Sequence, residues 1–201
     1  MKIGFDCDDT TVDFVGSFIK YHDNKYGTKL DFQKITSYDM APLVGVSSEI
    51  MRARVKEFYD GLGLENLPLI NGAKEVLLQL KAEGNELYII TARPKPLEER
   101  TINYFNNNLP GIFKEIYLRQ SSQDFSLNGL DKGEVCKKFG LKFFMEDGLH
   151  YAKQCAEKGT RVILFNTPWN QCSSEIENKH RFIRVFSWRD VPNTIKTYSA
   201  F

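Results

Sequence analysis

Lys2-Ile3-Gly4-Phe5-Asp6-Cys7-Asp8-Asp9-Thr10 is the stretch on which the reading of the whole chain turns. Lys2 to Cys7 is a short β-prone run that ends in acidic residues, the pattern of a buried strand delivering its carboxyl end to solvent. Three acids within four residues at such a point repel one another unless a cation gathers them.

Outward from this strand, Phe14, Phe18, Ile19 and Tyr26 fit a helix from Phe14 to Tyr26 that stops at Gly27. A second helical stretch runs from about Ser47 to Tyr59, with Ile50, Met51, Val55, Phe58 and Tyr59 on one face. After Pro68 and Gly72 helices and strands alternate. Ala73, Val76, Leu77 and Leu80 share a helical face closed by Gly84, and Glu86 to Ile90 follows as a strand. A helix from about Leu97 to Asn107 leads to a strand at Glu115 to Leu118, and Asp131 caps a helix that ends at Gly140. The strand Lys142 to Met145, a helix around Tyr151 to Lys158 and the strand Arg161 to Phe165 complete the alternation. Such a pattern predicts an α/β fold on a mainly parallel sheet, whose ligands bind beyond the carboxyl ends of the strands.

Composition narrows the partners. Lys and Arg number 27 against 26 Asp and Glu, with no run of either sign, so neither a nucleic-acid nor a membrane-surface protein is expected. No apolar run approaches the ~20 residues of a membrane span. Cys7, Cys136, Cys155 and Cys172 form no CxxC pair and read as reduced thiols, so a cytoplasmic protein is expected. The oligomeric state is left open, a homodimer included.

The strand ends carry the chemistry. The first ends in Asp6-Cys7-Asp8-Asp9-Thr10, and the others in Thr91, in a loop holding Lys132, and in Glu146-Asp147. Singly, an Asp-x-Asp is more often a turn or a cap, and a strand-end Thr is more often structural. Their convergence on one sheet edge favours phosphoryl transfer, because an anionic ester needs a cation and a carboxylate placed for in-line attack.

In these four marks, and in their order, the chain resembles the haloacid dehalogenase-like superfamily of phosphatases. Within it, Asp6 to Phe14, Tyr26 to Leu30, Pro68 to Lys74, Thr91 to Pro94, Asn166 to Asn170 and Val185 to Trp188 are similar to the cytosolic type of 5′(3′)-deoxyribonucleotidase and its bacterial and phage relatives. The resemblance implies a Rossmann-like doubly wound core over residues 1–15 and 72–201, with a helical cap inserted over residues 16–71. It implies a Mg²⁺-dependent phosphatase acting on a small phosphorylated substrate, a nucleoside monophosphate, through an aspartyl-phosphate. Asp6 is then the nucleophile and Asp8 the general acid and base. Asp6, the main-chain carbonyl of Asp8, and Asp147 hold Mg²⁺, with Glu146 as their support. Thr91 and Lys132 bind the phosphoryl oxygens.

Further expectations concern the rim. Phe14 stacks on the base or merely opens the apolar face of its helix, and Arg93 contacts phosphate or sugar or forms a surface ion pair. Asp9 stands where the superfamily often has Gly, its side chain either turned to solvent or altering metal or substrate contacts, and Asp13 reads as a helix cap. His22, His150 and His180 read as solvated or capping, Trp169 as rim or packing, and Cys7 as turned away from the acids. Competing readings are a phosphatase of another small phosphate such as a sugar phosphate, a dehalogenase, and a non-catalytic nucleotide-binding protein.

Overall fold

The computed structural model describes residues 1–61, 63–118 and 130–199. The element order is β1 (Lys2–Phe5), α1 (Phe14–Tyr26), α2 (Ser48–Asp60), α3 (Ala73–Ala82), β2 (Glu86–Thr91), α4 (Glu98–Asn108), β3 (Phe113–Leu118), α5 (Lys132–Phe139), β4 (Phe143–Glu146), α6 (Leu149–Glu157), β5 (Arg161–Phe165), α7 (Ser174–His180), β6 (Ile183–Val185) and α8 (Val191–Ser199). The described strands form one parallel sheet in the order β3-β2-β1-β4-β5-β6.

Period-two alternation within the strands builds two cores, one on each face of the sheet. Ile3, Phe5, Leu87, Ile89, Phe143, Met145, Ile163 and Phe165 face one core, where α3, α4 and α8 pack. Tyr88, Ile90, Phe144, Val162 and Leu164 face the other, covered by α5 and α6. The chain winds outward from β1 in both directions, which puts the two sets of helices on opposite faces, as right-handed crossovers require. Gly4 lies where a Cβ would stand 2.4 Å from Leu141 Cδ1 and 2.7 Å from Phe144 Cδ2, so only glycine lets the second core close there.

Several caps fall where the sequence places them. Gly27 and Gly140 take left-handed φ values of 65° and 68° at the ends of α1 and α5, and Asp13 accepts the Gly16 N–H at the start of α1. Asp131 and Glu134 form a reciprocal capping box at the start of α5. Lys132 is therefore the first residue of a helix and not part of a loop, which corrects the expectation from sequence. The elements α7, β6 and α8 have no counterpart among those expectations. No described helix is long and apolar enough to cross a membrane.

Residues 14–67 lie between the first two strands. Here α1 and α2 pack through an aromatic cluster, with Phe14 stacked on Phe18 at 6.0 Å and on Tyr59 at 5.3 Å, and Phe58 meeting Phe18 edge-on at 5.7 Å. His22 is buried in this unit, which corrects the solvated reading. Its Nδ1 lies 2.7 Å from Thr28 Oγ1 and its Nε2 2.9 Å from an Arg54 nitrogen.

Candidate active site

Parallel pairing of β1 with β4 brings together acids 141 residues apart in sequence, with Phe5 in register with Met145 and the Asp6 N–H donating to the Met145 carbonyl at 2.9 Å. Carboxylate oxygens of Asp6, Glu146 and Asp147, all buried, lie within 4.8 Å of one another. Among the described side chains, Lys132 Nζ is the cation bound to this group, 2.7 Å from Asp6 Oδ1 and 2.8 Å from Glu146 Oε2. The Lys132 side chain is wholly buried and sits 4.2 Å from the centre of the Tyr151 ring.

Charge is out of balance here. Burial pushes the Asp6 carboxyl up to about 7, reinforced by the Glu146 charge and opposed by Lys132. Burial likewise raises Glu146 to about 7 against the pull of Lys132, and Asp147 to about 7 with added repulsion from Asp6. Burial also works against the charge on Lys132, but Asp6 and Glu146 hold its ammonium above the ordinary lysine value. Three carboxyls against one ammonium suit a divalent cation with oxygen ligands, and the donor set fits Mg²⁺.

Glu146 is the least free of the three. Its Oε2 accepts from Lys132, and its Oε1 accepts the main-chain N–H groups of Asp147 at 3.1 Å and Gly148 at 2.9 Å. It therefore anchors the lysine and shapes the loop, leaving Asp6 and Asp147 as the pair able to hold a cation. The Asp147 carboxylate is fixed on both sides, by Thr10 Oγ1 on Oδ1 at 3.1 Å and by Trp169 Nε1 on Oδ2 at 2.7 Å.

The loop after β1 is tight. Thr11 and Val12 both donate their N–H groups to the Cys7 carbonyl, and Thr11 Oγ1 donates to the Asp6 carbonyl at 2.7 Å. Asp9 takes φ +54°, and its carboxylate turns back to accept the Val15 N–H at 2.8 Å. The side chain thus caps the chain's entry into α1 instead of pointing to solvent, a correction whose cause is the unpaired amide at the helix start. Cys7 is buried in the same core cluster as Ile3 and Phe5.

Asp8 stands outside the acid triad. Arg93 holds it in a two-pronged pair, Nε to Oδ2 at 2.9 Å and Nη2 to Oδ1 at 2.6 Å, while Nη1 donates to Thr101 Oγ1 at 3.2 Å. The Arg93 fork is buried and spent on Asp8, so the pair is neither a surface one nor a free phosphate clamp. Thr91 closes β2 beside β1, buried, with its Oγ1 accepting the Arg93 N–H at 3.2 Å.

Above these groups lies a cavity of about 390 Å³. Its floor holds Asp6, Asp8, Thr91, Arg93 and Asp147, and its walls include Phe14, Tyr38 and Tyr59 from the segment between β1 and β2. Tyr151 and Trp169 line it from the other side. An apolar, aromatic chamber with a few convergent polar groups is the form of a small-molecule site. Tyr38, Tyr59 and Tyr151 carry no signal in the sequence that ties them to it.

A doubly wound parallel sheet with acids, a threonine and a lysine gathered at the carboxyl ends of β1, β2 and β4 defines a haloacid dehalogenase-like phosphatase. Residues 1–126 match the model of the family described as 5′ nucleotidase, deoxy (Pyrimidine), cytosolic type C protein, and the chain belongs to that family. A Halalkalibacterium halodurans protein named for an inferred nucleotidase activity is 29% identical over 191 residues, covering 94% of this chain and 89% of its own. An Oceanobacillus iheyensis protein named in the same way is 23% identical over 193 residues, with 94% and 96% covered. Among solved structures, a haloacid dehalogenase-like hydrolase from Streptococcus pneumoniae superposes with a TM-score of 0.67 at 16% identity, over 96% of this chain and 97% of that one. A HAD family hydrolase from Deinococcus radiodurans, solved with bound phosphate and sodium, gives 0.67 at 14% identity over 94% and 92%. The enzyme is thus a hydrolase of small phosphorylated substrates in a family that uses a divalent metal.

Proposed function

We propose that this enzyme is a Mg²⁺-dependent 5′-nucleotidase that hydrolyses (deoxy)nucleoside monophosphates through an aspartyl-phosphate on Asp6. The observation that carries the reading is the buried triad of Asp6, Glu146 and Asp147 around Lys132, of which Asp6 and Asp147 line an aromatic cavity of nucleotide size.

Asp6, with its oxygens at the carboxyl edge of β1, attacks phosphorus, and the ester bond breaks with its electron pair going to the leaving oxygen. Once parted from Arg93 and protonated from solvent, the Asp8 carboxyl gives that oxygen its proton, then takes a proton from the water that cleaves the aspartyl-phosphate and frees Asp6. Lys132 and the Thr91 hydroxyl take up charge on the phosphoryl oxygens. Asp6, Asp147 and the main-chain carbonyl of Asp8 would hold Mg²⁺, which supplies charge neutralisation for the attack and orients the phosphate. Arg93 serves here through Asp8. Phe14, whose ring already stacks in the cavity wall on Tyr59, offers a face for the base.

Residues 16–71 act as the cap that closes over the substrate, and their aromatic side chains exclude water from the chamber. The enzyme is assigned to the cytoplasm, a compartment that keeps its cysteines as thiols.

A panel of nucleoside monophosphates and sugar phosphates, assayed with Mg²⁺ and with a chelator, tests the reading. Turnover that prefers nucleoside monophosphates and stops on chelation is expected, and Asp6→Asn should lower kcat by at least about 10³-fold with the fold intact. Equal or better turnover of sugar phosphates would remove the nucleotidase assignment, and full activity in Asp6→Asn would remove covalent catalysis.

A further inference from the structure

Both tryptophans of the chain are linked to Asp147, Trp169 directly and Trp188 by way of Thr10. Trp169 Nε1 donates to Oδ2 directly, at 2.7 Å. Trp188 Nε1 donates to the Thr10 carbonyl at 2.8 Å, and the Thr10 hydroxyl donates to Asp147 Oδ1 at 3.1 Å. Asn170, the residue after Trp169, donates its side-chain amide to the Asp147 carbonyl at 2.7 Å.

The two rings differ in what else they touch. Trp188 is wholly buried and stacks on Phe5 at 5.5 Å, so its ring is core. Trp169 lines the cavity, and its ring meets Phe32 edge-on at 5.5 Å and Tyr38 at 6.4 Å. Phe32 and Tyr38 belong to the inserted segment. That segment also reaches the peptide beside Asp147, because a Cβ built on Gly148 would stand 2.2 Å from the Tyr38 hydroxyl.

We infer that Trp169 is a positioning residue that aims the Asp147 carboxylate at the metal and seats the inserted segment on the metal side of the cavity. A carboxylate with a free terminal torsion must give up that freedom to ligate. Donors on both oxygens fix it in advance and leave each oxygen a lone pair for the cation. An indole suits this place because its N–H donates and cannot compete as a ligand, while its rigid ring gives Phe32 and Tyr38 a wall to pack on. A ring that served only as an apolar wall would not need its nitrogen on Asp147.

The inference rests on the reading that Asp147 holds Mg²⁺, and the test separates the two. Mg²⁺ alone is titrated into the full-length enzyme by calorimetry. Trp169→Phe, which keeps a ring and removes the N–H, should weaken Mg²⁺ binding roughly ten- to hundredfold, with unchanged melting in chelator and kcat restored by excess Mg²⁺. Trp169→Ala should show the same loss and, at saturating Mg²⁺, a raised KM, because Phe32 and Tyr38 lose their seat. Should Trp169→Phe fold poorly, benzothienylalanine at position 169 keeps the shape of the indole without its N–H and should show the same weakening. Mg²⁺ affinity within threefold of wild type in the folded variants would overturn the positioning role while leaving the phosphatase reading in place. Failure of the wild type to bind Mg²⁺ would overturn both.

Discussion

Asp9 shows how much one residue in the nucleophile loop has to reconcile. It adopts a left-handed backbone at φ +54°, a conformation that costs most side chains about 1 kcal/mol, yet its carboxylate recovers part of that by accepting the Val15 N–H. Burial raises the Asp9 carboxyl well above the ordinary aspartate value, and the facing charge of Asp147 raises it further. A raised folded-state pKa means that the folded chain keeps this proton to higher pH than the unfolded chain. Stability contributed by the protonated form is therefore lost as pH climbs above the unfolded value. Asp9→Asn keeps an acceptor and tolerates left-handed backbone but cannot ionise, so in chelator at pH 8 it should unfold at higher urea than wild type. Asp9→Ala loses both features and should be about 1–2 kcal/mol less stable. A lower urea midpoint in Asp9→Asn would show that the carboxylate's charge is needed there.

Helices α5 and α6 bring Lys132 to the acids, and their contact is set by one residue. A Cβ on Gly133 would stand 2.1 Å from the main-chain oxygen of Gln154, which cannot yield as a side chain would. Gly133→Ala should therefore push the start of α5 away from α6, costing about 1–3 kcal/mol and lowering kcat as Lys132 leaves Asp6. A wild-type urea midpoint and kcat would refute that tight fit. The pairing of α1 with α2 carries a pH dependence through His22. With Arg54 donating to Nε2, Nδ1–H donates to Thr28, whose hydroxyl donates to Asp23 Oδ1 at 2.6 Å. Burial lowers the His22 pKa below 6.5, Arg54 lowers it further, and Asp23 opposes both. The unfolded chain then binds a proton the folded one refuses, so stability is full above pH 6.5 and falls as pH drops below it. His22→Gln should flatten that acid-side loss in urea titrations between pH 7 and 5, and an unchanged slope would exclude His22 as its source. Elements with strong caps were legible in the sequence, as Gly27, Gly140 and the Asp131 box show. The elements α7 and β6 were not, because α7 buries no residue and β6 has only three, so neither leaves a periodic apolar signature. Asp6, Asp8, Thr91, Lys132 and Asp147 were legible because each sits beside a strand end or a helix cap. The bonds from Arg93 to Asp8 and from Trp169 to Asp147 were not, since they span 85 and 22 positions and exist only once the sheet has formed.

At the scale of the molecule, the strand order decides where charge collects. The chain departs from β1 toward β2 and β3, then returns to place β4 on the other side of β1, so the reversal lies between β1 and β4. Loops after those two strands diverge to opposite faces and leave a crevice, and this sequence fills it with Asp6 and Asp147. Phe14, Tyr38 and Tyr59, from the segment between β1 and β2, line the cavity over this crevice, an apolar setting in which buried charge is costly. Among the described side chains three buried carboxyls face a single ammonium, so a bound cation would relieve repulsion that is otherwise met by protonation. Any ligand that binds only the folded chain stabilises it by RT ln(1 + [L]/Kd), about 2.7 kcal/mol at one hundred times Kd. For a chain of this length each kcal/mol moves the melting temperature by about 2–4 °C, so saturating Mg²⁺ should raise Tm by about 5–10 °C over a sodium chloride control of equal ionic strength. Asp147→Asn should melt near wild type in chelator, since it removes one of the repelling charges, and should lose most of the rise with Mg²⁺. If instead wild type and Asp147→Asn gain equally from Mg²⁺, the cation acts elsewhere on the surface, and the crowding of acids at the β1–β4 crevice must be relieved by Lys132 and protonation alone.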